Sequence, residues 1–131
     1  MRVLLDTNVI LDVWLVREPF WRDSAALLAQ IEQGDLKGCI CPTTVTTLHY
    51  LAKKVLGEDK ARGLISQLIE LCEVCPLTAQ SIHEALASAL PDFEDAVIEA
   101  VAQENSIQVI ATRDKKHFRK SRIEAKEPAK I

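Results

Sequence analysis

What this 131-residue chain has little of narrows its chemistry before any motif is read. No apolar run approaches the roughly 20 residues that a membrane-crossing helix needs, so no transmembrane segment is expected. Only 4 residues are glycine, and no glycine-rich loop of the phosphate-cradling kind occurs. That excludes the corresponding class of nucleotide-binding enzyme. Basic residues are not in excess: 16 Lys and Arg stand against 19 Asp and Glu, a net charge of −3, which excludes a globally basic nucleic-acid binder. The N-terminus opens on a short apolar segment rather than a charged stretch with an apolar signal region. No export signal is therefore expected, a cytoplasmic location follows, and the cysteines should be reduced. Cys39 and Cys41, and Cys72 and Cys75, have metal-like spacing. Both pairs lie in apolar stretches without the loops and flanking glycines of a zinc knuckle, so they read as small core hydrophobes.

What is present is a globular composition, 48% hydrophobic and 27% charged, in a chain long enough for one real core. No internal repeat, low-complexity tract or linker interrupts it, so residues 1–131 read as a single domain. Short apolar runs at 2–6, 39–41, 73–75 and 107–111 predict strands, with a weaker fifth at 122–125. Between them, apolar residues recur at three and four. Helices are predicted over 9–16 (Asp12 on its polar side), from Pro19 to Gly34, from Pro42 to Gly57, and over 59–71. Two more are predicted from a Thr78 cap to Pro91, with Ile82, Leu86 and Leu90 turned inward, and from Asp92 to about Asn105. Strands separated by helices predict an α/β fold: a central parallel sheet of four to five strands with helices on both faces. Trp14, Phe20 and Trp21 are expected in the core, or lining a groove for a partner peptide.

The acids carry the chemistry. Asp6 ends the first apolar strand and Asp114 follows the fourth, while Asp92 and Asp95 open a helix. In an open parallel sheet, ligands bind beyond the carboxyl ends of the strands, so these acids can share one pocket. Carboxylates so placed repel, and a hard divalent cation is the natural remedy. Asp92 and Asp95, three apart, share a helix face, but both also suit helix capping and the helix dipole. Glu94 is expected to point elsewhere, and Glu99 is either an extra ligand or a solvated acid. Asn8 and Thr112 can orient the neighbouring carboxylates. From Arg113 to Lys126 lie seven basic residues against two acids, a patch that attracts phosphates or is simply solvated.

Three blocks, Leu4-Leu5-Asp6-Thr7-Asn8-Val9-Ile10-Leu11, Asp92-Phe93-Glu94-Asp95-Ala96 and Ile110-Ala111-Thr112-Arg113-Asp114-Lys115-Lys116-His117-Phe118, resemble the successive motifs of PIN domains. More narrowly, they resemble the PIN ribonucleases that act as VapC-type toxins of toxin–antitoxin pairs. The resemblance implies a three-layer PIN-like sandwich and an acidic pocket binding Mg²⁺ or Mn²⁺. It implies Asp6, Asp95 and Asp114 as metal-binding acids, with Asp92 joining them as a catalytic residue and Asn8 and Thr112 supporting. It further implies single-stranded RNA as substrate, bound by Arg113, Lys115, Lys116, Arg119 and Lys120, a cognate antitoxin as partner, and a homodimer. Two departures stand out. Thr47 occupies the place of a frequent glutamate, for which Asp92 is a possible substitute, and His117 that of a second acid near the last motif. Thr47 keeps open a catalytically degenerate binding module. An aspartate-nucleophile phosphatase built on Asp6 would need a second Asp where Asn8 stands.

Overall fold

The computed structural model describes residues 1–131. In chain order the elements are β1 (Arg2–Leu5), α1 (Thr7–Trp14), α2 (Trp21–Glu32), β2 (Lys37–Ile40), α3 (Pro42–Leu56), α4 (Glu58–Leu71) and β3 (Glu73–Val74). There follow α5 (Ala79–Leu86), α6 (Phe93–Glu104), β4 (Val109–Ala111) and β5 (Glu124–Lys126). All strand pairs are parallel and run in the order β3-β2-β1-β4-β5. This is the α/β sandwich expected from the alternation of strands and helices, and the weak fifth strand is a real edge.

Successive strand residues point to opposite faces, and the two faces are covered by different helices. Leu4, in register with Cys39 and Ile110, packs with Ala85 of α5 and Ala96, Val97 and Val101 of α6. Val3, Leu5, Ile40 and Ala111 turn the other way, against Val9 and Ile10 of α1, Leu27 and Ile31 of α2, Leu48 of α3 and Leu68 of α4. Strands covered on both sides must be apolar throughout, which is why Val3 to Leu5 lacks alternation. Gly38 has no choice of side chain: a Cβ there would lie 2.7 Å from Cys72 Sγ and 2.9 Å from Ile31 Cδ1. All four cysteines are buried and free, as small hydrophobes should be. No helix is long and apolar enough to cross a membrane.

Some expectations need correction. Asp12 does not sit on a polar face; it is 0% exposed, because two arginines reach it. Leu86 is 70% exposed rather than inward. The α5 helix ends there, and Ser88, whose Oγ accepts from the Leu90 N–H, turns the chain so that Leu90 alone returns to the core. Phe20 stands outside the core at 39% exposure, beneath the guanidinium of Arg113 at 4.0 Å. Trp14 packs only partly buried against the larger helical layer. The second helix starts at Trp21, after a cis Glu18–Pro19 bond.

The strand order reverses at β1. The chain moves outward from β1 to β2 and β3, then crosses to place β4 on β1's other side. The crevice beyond the carboxyl ends of β1 and β4 is thus the switch point at which open α/β sheets bind ligands.

Candidate functional site

Asp6 leaves β1 directly into that crevice. Its backbone N–H donates to the Ala111 carbonyl at 3.0 Å, locking the two strand ends together. Its carboxylate caps α1, Oδ1 accepting from the Thr7 N–H at 2.8 Å. Oδ2 accepts from Thr112 Oγ1 at 2.8 Å and from Asn8 Nδ2 at 3.3 Å. Asn8 Nδ2 also donates to Asp114 Oδ2 at 3.1 Å, and Asn8 Oδ1 accepts from the Arg113 N–H at 3.2 Å. The Asp114 N–H in turn donates to Thr112 Oγ1 at 3.0 Å. Asn8 and Thr112 therefore tie Asp6 and Asp114 into one network across two strands.

The α6 helix faces this pair. Asp92 is its N-cap, Oδ1 accepting from the Asp95 N–H at 3.0 Å, so the capping reading holds while the carboxylate still borders the cleft. One open cleft of about 330 Å³ is lined by Asp6, Asp92, Glu94, Asp95 and Asp114, together with Asn8, Arg17, Thr47 and His117. Glu94 does not point elsewhere. Asp92 lies outside the helix in extended backbone, so helical spacing does not separate the two residues, and Glu94 Oε1 lies 3.4 Å from Thr47 Oγ1. Glu99 is neither ligand nor solvated. It is buried away from the cleft, accepting from Ser88 Oγ at 2.8 Å and the Arg122 N–H at 2.9 Å.

The electrostatics record this crowding. Burial, then the charges of Asp6 and Asp92, push the Asp95 carboxyl up to about 7. Burial also raises Asp6, opposed by its Thr112 and Thr7 hydrogen bonds and reinforced by Asp114. Partial loss of solvent raises Glu94, with Asp92 and Asp6 adding to it. The one ion pair among the five carboxylates is a loose one, His117 Nδ1 at 3.7 Å from Asp95. An acidic cleft built of carboxylate oxygens, whose only internal ion pair is that loose one, suits a hard divalent cation. As the side chains stand, no three of them form a preassembled ligand group. The donor chemistry fits such an ion, though the donors are not gathered around one point.

The basic residues divide. Lys116, Arg119 and Lys120 line a cavity of about 190 Å³ that shares His117 with the acidic cleft. Arg113 turns away: Nε and Nη2 donate to Asp12 at 2.6 and 3.1 Å. Lys115 reaches Glu127 at 3.9 Å. Sequence reasoning missed Glu94 and Arg17 as cleft residues. The only signal for Glu94 was its place between two aspartates; nothing in the sequence marked Arg17.

A family model described as PIN domain matches residues 2–116. No curated protein matches the chain. Among solved structures, the chain is similar to VapBC2 from Rickettsia felis, bound to a DNA fragment from its promoter. The TM-score is 0.74 at 14% identity, over 97% of this chain and 98% of that one. It is also similar to a toxin–antitoxin complex from Klebsiella pneumoniae (TM-score 0.73, 23% identity, 96% and 97% covered). A third is VapC20 of Mycobacterium tuberculosis, a toxin cleaving the sarcin–ricin loop (TM-score 0.72, 15% identity, 89% and 93% covered). At these identities the likeness is one of fold.

Proposed function

The chain belongs to the PIN domain family, and from that premise we propose that it is a metal-dependent endoribonuclease acting on single-stranded RNA in the cytoplasm. In this reading it is the VapC-type toxin of a toxin–antitoxin pair, a homodimer held in check by a cognate antitoxin. The observation that carries the reading is the convergence of five carboxylates, with only one loose internal ion pair, at the switch point of the sheet.

Asp6, Asp95 and Asp114 would hold Mg²⁺ or Mn²⁺, with Asp92 and Glu94 beside them. Bound there, the cation supplies charge neutralisation at phosphorus and a more acidic water. The protein's own part is positioning. Thr112 and Asn8 fix the Asp6 and Asp114 carboxylates, and Asp92 fixes the start of α6 and so the place of Asp95. Lys116, Arg119 and Lys120 hold flanking phosphates, which positions a strand without reading its sequence. In the reaction a water oxygen bonds to phosphorus, a P–O ester bond breaks, and the leaving alkoxide takes up a proton.

The test is cleavage of single-stranded RNA by purified protein with Mg²⁺ or Mn²⁺, abolished by chelator and by Asp6→Asn or Asp114→Asn. Full activity in chelator overturns the reading. The lack of a preassembled ligand group favours one second reading, a PIN-fold binding module without activity. Asp6→Asn would then leave partner binding and any cellular effect unchanged.

A further inference from the structure

Arg17 is the one guanidinium lining the acidic cleft, and its surroundings do not explain it as a structural charge. Its Nη1 lies 3.7 Å from Asp12 Oδ1, too long for a good charge-assisted hydrogen bond. Asp12 is already served by the two short bonds from Arg113. One buried carboxylate thus faces two guanidiniums, leaving an excess positive charge. Arg113 is pinned by its fork on Asp12 and by the Phe20 ring at 4.0 Å, with its side chain 27% exposed. The surplus therefore resides on Arg17, whose side chain is 42% exposed. Nor is Arg17 a counter-ion for the cleft, since its only ion pair is with Asp12.

The backbone presents it deliberately. Val16, just before it, has φ 50°, a region that a β-branched residue adopts only under constraint. The Arg17 N–H donates to the Asp12 carbonyl at 2.9 Å, so the backbone of Arg17 is fixed on Asp12 while its guanidinium stays only loosely paired with the Asp12 carboxylate. A cleft walled by five carboxylates repels a phosphodiester even with one divalent cation bound. A planar guanidinium already in place answers that repulsion, because its donors match two phosphate oxygens.

We propose that Arg17 binds the scissile phosphate of the RNA through a non-bridging oxygen, with Asp12 as the residue that positions it. The proposal rests on the nuclease reading above and adds to it a substrate contact from the α1–α2 turn, separate from the lysines and arginine after β4. A donor of this kind aimed at developing charge is worth about 100-fold or more in kcat.

The experiment measures cleavage of a randomised single-stranded RNA pool and of ribosomal RNA with Mn²⁺, for wild type, Arg17→Gln, Arg17→Lys and Asp95→Asn. Expected for Arg17→Gln is a loss of about 100-fold in kcat with Mn²⁺ affinity, measured without RNA, unchanged; Arg17→Lys recovers part of the rate. In the uncleaving Asp95→Asn protein, adding Arg17→Gln should lower the slope of log affinity against log salt by about one. A melting temperature lowered by Arg17→Gln with kcat and salt slope intact shows a partner of Asp12 only and overturns the proposal. If wild type cleaves and Asp95→Asn does not, an active Arg17→Gln sinks this inference alone. A wild type inactive on both RNAs sinks the nuclease reading and this inference with it.

Discussion

The α6 helix carries two carboxylates one turn apart whose environments push them in opposite directions. Asp95 and Glu99 are both largely hidden, with side chains 14% and 3% exposed. Around Glu99 burial raises the carboxyl, but Ser121, the Arg122 backbone, Ser88 and the Arg122 guanidinium outweigh it, and the net shift is downward. Around Asp95 burial is joined by the charges of Asp6 and Asp92, and the carboxyl rises to about 7. The protein therefore surrounds Glu99, which serves the fold, with donors and counter-charge, and leaves Asp95 with little of either in the cleft where the proposed cation would bind. A perturbed acid in a cleft is a mark of function only when the missing partner is also accounted for; here the same helix provides the control.

The largest expected effect separates the two residues by activity. Asp95→Asn should lower kcat/KM by about 1000-fold, since a bound cation contributes several kcal/mol at the transition state. At the same time it should raise the melting temperature of the chelated protein at pH 8, because a repelled charge is removed. Glu99→Gln should do the reverse, keeping activity at permissive temperature. It should cost about 1.5–3 kcal/mol of stability in denaturant unfolding, the range for hydrogen bonds to a charged group. If both substitutions destabilise the metal-free protein alike, the contrast is wrong.

The dependence on pH sharpens the same contrast. With its folded value pushed up to about 7 from the ordinary aspartate value of 3.8, Asp95 binds more protons folded than unfolded between those limits. The metal-free protein should therefore lose stability as pH rises through that window, and Mn²⁺ affinity should rise with pH over the same range. Glu99, lowered from 4.5, contributes stability that is present above its unfolded value and lost as acid takes pH below it. Melting curves in chelator from about pH 2 to pH 8 check both, and Asp95→Asn should remove the upper slope while leaving the acid limb.

Much of this was legible before the structure. Apolar runs with no alternation announced buried strands, and Asp6 and Asp114, each following such a run, announced a shared pocket beyond the carboxyl ends of the strands; that this is the switch point follows only from the strand order. Asn8 and Thr112 were readable because short polar side chains beside a strand-end acid have few other uses. What could not be read depends on long-range pairing. Asp12 is solitary and polar on an apolar helix, and only the fold shows that Arg113, 101 residues away, makes its burial possible. Glu99 likewise waits for Arg122, and Leu86 was misplaced because α5 ends before the turn its periodicity suggested. The basic run after Arg113 also divides by geometry, with Arg113 and Lys115 drawn off by Asp12 and Glu127.

The smallest expected effect concerns Glu94, at the lip of the same cleft. It lies in the first turn of α6, just after the N-cap Asp92, and its Oε1 stands 3.4 Å from Thr47 Oγ1. Position 47 holds no acid, so a carboxylate reaching it from α6 gives that side of the cleft the charge that α3 does not. Residue Glu94 is exposed, so its charge is screened more than that of Asp6 or Asp95. Glu94→Gln should therefore weaken Mn²⁺ binding, measured by calorimetry without RNA, by only about 10-fold, the lower end of what supporting groups contribute. Moving the acid back, as Thr47→Glu with Glu94→Gln, should restore most of that affinity, because the two side chains meet at one place in the cleft. Unchanged affinity in Glu94→Gln would return Glu94 to an ordinary first-turn acid complementing the helix dipole, and would leave the cation to Asp6, Asp95 and Asp114, helped by Asp92.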